Sequence, residues 1–341
     1  MTIMKKILLI VLLNTQILYS QNLNNLVFGS DSTFEVVSWN IEWFPKNNST
    51  ANYVETILNN INADIYALQE IDDTTLLKQV VSNLSGYECH FKSSYYGGLA
   101  YVYKNTIQIN SIYEIYKAQP FWNIFPRKPQ VLDLQYNDER YIIINNHFKC
   151  CGDGVLDTND TSDEENRRLL ANTLLKEYID NNFSNIKVIM LGDLNDNLTD
   201  PVNNNVFNQF IEDDNNYLFT DMLIAQGNNN NWSYPTWPSH LDHILISNEL
   251  FADFQNPNSS INVIRVDDHM GSWSNYENNV SDHRPVGLKL ELSRTNNIKI
   301  ENHKKKKIIK IIDALGREVN TTKKGLLFYI YESGEVIKII H

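Results

Sequence analysis

The chain has 341 residues, 42% of them hydrophobic and 11% aromatic, with a mean hydropathy of −0.37. That composition supplies one large core or two modest ones and excludes a disordered or fibrous chain. The net charge of −12 is unevenly spread: residues 294–341 hold 11 Lys/Arg against 5 Asp/Glu and the first 20 residues hold two lysines, which leaves residues 21–293 at −20. An acidic body gives no long-range attraction for nucleic acid and favours divalent cations.

Residues 1–20 read as a secretory signal peptide. Lys5 and Lys6 form a basic start, Ile7 to Leu13 an apolar run, and Leu18-Tyr19-Ser20 a small-residue end, with cleavage after Ser20. The apolar run is too short to span about 30 Å of hydrocarbon, and Asn14 and Gln16 interrupt it. No cysteine follows it, which argues against a lipid anchor, and no other stretch has the length and apolarity to span a bilayer.

Residues 21–33 are polar and read as a linker. A strand starts at Phe34 and runs through Trp39, a helix follows around Tyr53 to Ile61, and a buried strand at Asp64 to Leu68. Further strands read at 100–103, 131–136, 141–145, 187–191, 243–246, 262–265 and 286–292. Between two of them, Glu164 to Ile179 is periodic as a helix, with Leu169, Leu170, Thr173, Leu174 and Tyr178 on one face. Mixed strands and helices over residues 34–293 predict one α/β domain with two sheets sandwiched between helices. Asn-rich stretches at 203–205, 215–216 and 228–231 read as surface loops.

Composition changes near residue 294. Residues 294–307 are polar and basic and read as a linker; 308–341 hold three short strands punctuated by Gly316, Gly325 and Gly334, too small a module for a catalytic core. Of the three cysteines, Cys89 pairing with Cys150 or Cys151, or a vicinal 150–151 link, are the options left open; no Cys/His pair sits at zinc-finger spacing.

Six segments place carboxylates, amides or histidines at strand ends. They are Ser38-Trp39-Asn40-Ile41-Glu42, Leu68-Gln69-Glu70, Asn145-Asn146-His147-Phe148-Lys149, Gly192-Asp193-Leu194-Asn195-Asp196, His240-Leu241-Asp242-His243 and Ser281-Asp282-His283-Arg284-Pro285. A single strand-terminal Asp is usually a turn residue and a single His usually structural. Strand ends of a packed sheet, however, converge on one rim, where sites form. The set has hard oxygen ligands and histidines, and lacks a serine elbow or a phosphate-cradling glycine loop. Such oxygens prefer Mg²⁺, Mn²⁺ or Ca²⁺.

In this order the six segments resemble the motif series of the endonuclease/exonuclease/phosphatase superfamily, from about Phe34 to Leu292; Gly-Asp-Leu-Asn-Asp and Ser-Asp-His-Arg-Pro are the sharpest matches. The resemblance implies a four-layered α/β sandwich (DNase I-like) and one or two divalent ions. It implies Glu70 as principal metal ligand, supported by Asn40 and Asp282. His283 is implied as general base or phosphate binder, oriented by Asp242, and His147 as general acid or charge stabiliser. Asp193 and Asn195 would position the attacking water and a phosphate oxygen. Lys149 and Arg284 are candidate phosphate contacts. Physically, an anionic phosphodiester needs a cation on its oxygens, an oriented water and a proton for the leaving group. A carboxylate beside His283 raises its pKa.

Two features depart from the deoxyribonuclease pattern. Pancreatic-type deoxyribonucleases place a DNA-contacting Arg two residues after the metal Glu, where this chain has Asp72, followed by Asp73. Cys150-Cys151-Gly152-Asp153-Gly154 opens an acidic stretch through Asp157, Asp160, Asp163, Glu164 and Glu165, which reads as a solvated loop, with Ca²⁺ binding the alternative. Arg167 and Arg168 open the helix that follows, placed either to reach the rim or to pair with this loop.

The C-terminal segments Ile311 to Val319, Lys324-Gly325-Leu326 and Ser333 to Lys338 resemble the type A sorting domain of the type IX secretion system, without its opening Tyr-Pro-Asn-Pro. The reading is therefore a secreted or surface, monomeric, Mg²⁺-dependent phosphodiesterase, a nuclease acting on DNA or RNA and exported by the type IX machinery, without stable membrane insertion. The alternatives are a sphingomyelinase-like or other small-phosphoester hydrolase, and a non-catalytic surface binding protein.

Overall fold

The computed structural model describes residues 22–91, 97–292 and 308–340, apart from 314–315, 321–322, 325 and 332–335. The proposed signal peptide, the 294–307 linker and the Gly325 and Gly334 turns lie outside the described residues. The chain divides between residues 293 and 294 into two compact units.

The first unit is built from two six-stranded sheets. One has the order β11-β12-β1-β2-β4-β3: β1 (Phe34–Phe44), β2 (Ile65–Ile71), β3 (Tyr87–Phe91), β4 (Gly98–Lys104), β11 (Ser260–Val263) and β12 (Val286–Leu290). The other has the order β5-β6-β7-β8-β10-β9: β5 (Gln108–Glu114), β6 (Gln130–Tyr136), β7 (Glu139–His147), β8 (Lys187–Asp193), β9 (Tyr217–Phe219) and β10 (Asp242–Ser247). Two pairs are parallel, β1 with β2 and β7 with β8. Each is joined by a crossover helix, α1 (Thr50–Ile61) and α3 (Glu164–Asn182) respectively; α2 (Thr74–Asn83) follows β2.

Side chains alternate across a strand, so a strand buried on both faces must be apolar throughout. Val36 and Ile143 face the layer between the sheets, with Ile65, Leu132, Ile189, Ile244 and Leu288. Their neighbours Val37 and Trp39 turn the other way, under Val54, Ile57 and Leu58 of α1. Ile142 and Ile144 turn outward under Ala171, Leu175 and Ile179 of α3. Three apolar layers thus separate helix, sheet, sheet and helix, which is the predicted four-layered sandwich.

Two expectations are corrected. Residues 22–33 are not a free linker, because Leu26 and Phe28 are buried in the core under the first sheet. The buried face of α3 is Glu165, Asn166, Arg168, Ala171, Asn172, Leu175 and Ile179, while Leu170 stands 37% exposed. The helix is rotated from its apolar stripe because Arg168 goes inward to pair with Asp196 at 2.7 Å and Glu165 at 2.9 Å. The strands β3, β5 and β9, all at sheet edges with one face wet, and the helix α2, which buries Leu77, Val80 and Val81, were not among the predicted elements.

Gly192 shows how tightly the site end of the sheet is built. Its φ is +143°, and a Cβ there would lie 2.0 Å from the Asn146 carbonyl oxygen of β7. Only glycine lets β8 run so close to β7 one residue before Asp193.

The second unit is an antiparallel sheet of β13 (Ile308–Asp313), β14 (Leu326–Tyr331) and β15 (Val336–Ile340), with β14 central. Gly316, with φ +75°, turns the chain after β13. Asp313 is buried and accepts from the Arg317 backbone at 3.0 Å, Arg317 Nε at 2.9 Å and Lys323 Nζ at 2.7 Å. No helix among the described residues is long and apolar enough to cross a membrane.

Candidate active site

Both parallel pairs end on the same rim, and their antiparallel neighbours begin there. Asp193 at the end of β8 is in register with His147 on β7 and with Asp242 on β10. A polar tie beneath the rim fixes the two sheets to each other: Gln69 Nε2 donates to Asn145 Oδ1 at 2.8 Å, and Asn145 Nδ2 to the Leu68 carbonyl at 3.0 Å. Both side chains are fully buried, so the bonds offset a desolvation that would otherwise cost about 1–3 kcal/mol per group.

Above this tie the side chains meet. Asn40 Nδ2 donates to Glu70 Oε1 at 3.1 Å and to Asp193 Oδ2 at 2.9 Å. His147 Nε2 lies 3.7 Å from Glu70 Oε1 and 3.5 Å from Asp193 Oδ2. His283 Nδ1 is 2.7 Å from Asp242 Oδ2, and its Nε2 is 3.7 Å from Asp193 Oδ2 and 3.9 Å from Asp282 Oδ1. Asn195 donates its backbone N–H to Asp193 Oδ1 at 3.2 Å and its amide to the Phe148 carbonyl at 3.3 Å. Ser281 Oγ anchors the His283 loop by donating to the Asn40 carbonyl at 2.7 Å. Asn40, Glu70, His147, Asp193, Asn195, Asp242, Asp282 and His283 thus share one mouth.

The backbone is unusual at the same place. Glu42, Trp43, Glu70 and Asn195 are non-glycine residues with φ of +25°, +52°, +59° and +56°. Such conformations cost about 1–3 kcal/mol each and persist where the surroundings impose them, as at functional sites.

Electrostatics separates the two histidines. Burial pushes His147 well below its ordinary value, helped by the positive charges of Arg127 and His283. Burial also opposes charge on His283, but Asp242 and Asp193 outweigh it and hold its pKa well above the usual range. Asp193 is pushed up to about 7, first by burial and then by Asp242 and Glu70, against the pull of His283 and Asn40. Burial raises Asp282 and Glu42 too, with Glu70 adding to the first and Asp282 to the second. Crowded carboxylates at raised pKa values are a donor set that a hard divalent cation would relieve; the Asn40 amide faces them with its NH2, while its oxygen accepts from the Glu42 N–H at 2.9 Å. Among the described residues, Glu70, His147 and Asp193 each bring a donor atom within 4.8 Å of the others, as do Asp193, Asp242 and His283.

Two candidates do not join this mouth. Arg284 is buried behind it: Nε and Nη2 clamp Asp267 at 2.9 and 2.6 Å, and Nη1 donates to the Asn230 and Trp232 carbonyls. Its fork is committed to holding the Asn230–Trp232 segment, so it is a structural clamp, not a phosphate contact. Lys149 turns its ammonium onto the Cys150 carbonyl at 2.8 Å, 3.5 Å from Glu164, and serves the acidic loop. In that loop the Cys150 and Cys151 sulfurs lie 3.0 Å apart as free thiols, and Cys89 sits on β3 of the other sheet. Asp73 caps α2 by accepting from the Leu76 N–H at 2.9 Å.

Two contributors, Glu42 and Arg127, had no role assigned from sequence, and Arg168 takes the loop-pairing role expected of it. Glu42 accepts from the Asp282 N–H at 2.9 Å and pairs with Lys46; its place two residues after Asn40, on the same strand face, was the available signal. Arg127, just before β6, acts on His147 by charge alone and has no readable motif. Arg168 ties the Lys149 and Cys151 carbonyls, at 2.8 and 2.9 Å, to Asp196 beyond the Asp193 loop.

Two stacked mixed sheets carry a rim of carboxylates, amides and two histidines, a set suited to hydrolysis of phosphoesters. The chain belongs to the endonuclease/exonuclease/phosphatase family, whose family model matches residues 37–283. Solved structures share the fold. Zebrafish (D. rerio) TDP2 complexed with single strand DNA product is 13% identical, covering 76% of this chain and 99% of that one with a TM-score of 0.54. The human Nocturnin catalytic domain with bound sulfate is 18% identical over 76% and 93%, with a TM-score of 0.53. An endonuclease/exonuclease/phosphatase from Bacteroides vulgatus is 12% identical over 76% and 99%, with a TM-score of 0.53. Comparison with curated protein sequences gave no match.

Proposed function

We propose that this chain is an exported, Mg²⁺-dependent phosphodiesterase that cleaves nucleic acid, DNA or RNA. One observation carries the reading: His147, Asp193, His283 and Asp242 form a continuous chain of contacts of 2.7 to 3.7 Å that also reaches Glu70 and Asn40. Glu70, with Asn40 and Asp282, would hold Mg²⁺, or Mn²⁺ in its place; a bound cation supplies positive charge to the non-bridging phosphate oxygens.

The remaining steps belong to the chain's own side chains. Asp193, with its pKa pushed up to about 7, takes a proton from the attacking water near neutrality. Asn195 helps fix that carboxylate. His283, held as the imidazolium by Asp242, places charge on a phosphate oxygen and passes its Nε2 proton to the departing alkoxide as the P–O bond breaks. His147 is held neutral by burial and donates or accepts a hydrogen bond without adding charge. A non-catalytic binding protein would be free to lose members of this set, and every one is present.

For export, residues 1–20 would direct passage through the inner membrane, and the C-terminal sheet would serve as the sorting module read by type IX machinery. Its being a small compact unit of its own, built as a three-stranded sheet, supports that reading. The zebrafish TDP2 structure, which holds a single strand DNA product, supports the choice of nucleic acid. The acidic body and Asp72 favour a second reading, a small-phosphoester or sphingomyelin hydrolase. A panel of plasmid DNA, RNA, sphingomyelin, inositol phosphates and bis-p-nitrophenyl phosphate, each with Mg²⁺, Mn²⁺ and Ca²⁺, separates them. The expected result is cleavage of a nucleic acid with Mg²⁺ or Mn²⁺; turnover confined to sphingomyelin or inositol phosphates would transfer the assignment to the second reading.

A further inference from the structure

In β1 the alternation of side chains is broken at one residue. Trp39 and Ile41 both turn outward and are fully buried under α1. Period two would bury residue 43 beside them. Instead the pairing of β1 with β2 shifts between Asn40 and Phe44, and Glu42 and Trp43 take positive φ. Phe44 fills the core position, while Trp43 stands 49% exposed. Its backbone N–H donates to Glu70 Oε2 at 3.1 Å, so the indole is held at the lip of the mouth, its ring against Gly97. A bulge that removes a tryptophan from a core and presents it to water costs both strain and burial.

A second aromatic platform stands at His283. The Tyr234 ring lies 4.8 Å from the His283 ring, and its phenol is pushed up to about 12 by burial and then by the charges of Asp282, Glu42 and Asp193. Tyr234 and Ser239 exchange two backbone bonds of 3.1 Å, closing a small loop that carries Trp237, 75% exposed, near its tip.

Beyond the phosphate being cleaved, which faces His283, the mouth offers little to a phosphate backbone. Arg284 and Lys149 are committed elsewhere, Asp72 is exposed beside Glu70, and residues 21–293 carry −20. Backbone neutralisation therefore contributes little to affinity, and the ring faces must supply it. Only an unstacked base has a free face to give; bases inside a duplex are already covered. A bilayer would need one contiguous apolar patch, whereas these rings stand singly on two sides of a carboxylate cluster.

Resting on the nuclease reading, we infer that Trp43, with Tyr234 and Trp237, forms a stacking subsite for unpaired nucleobases, which makes single-stranded nucleic acid the substrate class of this mouth. The test compares KM for an oligonucleotide, for its duplex and for bis-p-nitrophenyl phosphate, in wild type, Trp43→Ala and Trp43→Phe. It adds tryptophan fluorescence with oligonucleotide in EDTA and, separately, with sphingomyelin vesicles. The expected result is a KM for the single strand roughly tenfold higher in Trp43→Ala, beyond any change for bis-p-nitrophenyl phosphate, and largely restored in Trp43→Phe. Oligonucleotide quenches wild-type fluorescence and vesicles leave it unaltered. A single-strand KM that is the same in all three proteins, a duplex KM equal to it, or a response to vesicles alone overturns the inference while leaving phosphodiesterase activity in place. A wild type that cleaves no nucleic acid removes the nuclease reading itself, and the inference with it.

Discussion

Replacing His283 with alanine is expected to lower kcat by about 10²–10⁴, with a smaller change in KM. The imidazole is buried, bonded to Asp242 at 2.7 Å and within 3.7 Å of Asp193. Its charge is set by those carboxylates against burial, so Asp242→Asn removes the largest support for the imidazolium and its pKa falls. Steady-state kinetics measures the first effect. A histidine titration followed by NMR in wild type and Asp242→Asn measures the second. A His283 pKa that is unchanged by Asp242→Asn would show that the pair does not set its charge.

The second large effect is on stability. Asp221 is fully buried, and its Oδ2 lies 2.6 Å from His243 Nδ1 and 3.1 Å from His240 Nε2, while Oδ1 accepts from the Ile244 N–H at 2.9 Å. His243 Nε2 continues to the Asp196 carbonyl at 2.8 Å, so the pair supports the loop that follows Asp193. Asp221→Ala strands a buried histidine and is expected to cost about 3–5 kcal/mol. Burial opposes the charge on both partners, yet each holds the other: Asp221 is driven down by His243, and His243 is driven up by Asp221. A lowered carboxyl contributes stability above its unfolded value near 4, lost as pH falls through the folded one. A raised histidine contributes below its unfolded value near 6.5, lost as pH rises through the folded one. The difference between wild type and variant is therefore largest between about pH 4 and 6.5 and narrows at higher pH. Denaturant unfolding from below about pH 4 to above about pH 7 measures it; a difference that does not depend on pH over that span would contradict the ionic account.

How much was legible beforehand follows the same physics. The doubly buried strands announced themselves because β2, β7 and β8 need apolar residues on both faces. Strand-end residues were legible as a set because the parallel pairs send Asn40, Glu70, His147 and Asp193 to one rim. Arg284 was misjudged because an arginine beside a site histidine looks the same in sequence whether its fork faces substrate or Asp267; only packing decides. The α3 face was misplaced because Arg168 and Glu165 neutralise each other inside, a pairing that hydrophobic periodicity scores as polar surface. Leu26 and Phe28 were passed over because Leu23, Leu26, Val27 and Phe28 are too few, in a polar stretch, to carry a clear period. The outward turn of Trp43 depends on a bulge, and nothing in Ser-Trp-Asn-Ile-Glu-Trp-Phe marks where the register slips.

The central claim is that a single cation-binding mouth attacks phosphodiesters. Hydrolysis of bis-p-nitrophenyl phosphate by wild type, Glu70→Ala and His147→Ala, with Mg²⁺ and with EDTA, tests it most directly. The account predicts turnover that EDTA abolishes and Mg²⁺ restores, and a loss of about 10²-fold or more in either variant. Turnover that survives EDTA, or full activity in both variants, would contradict it.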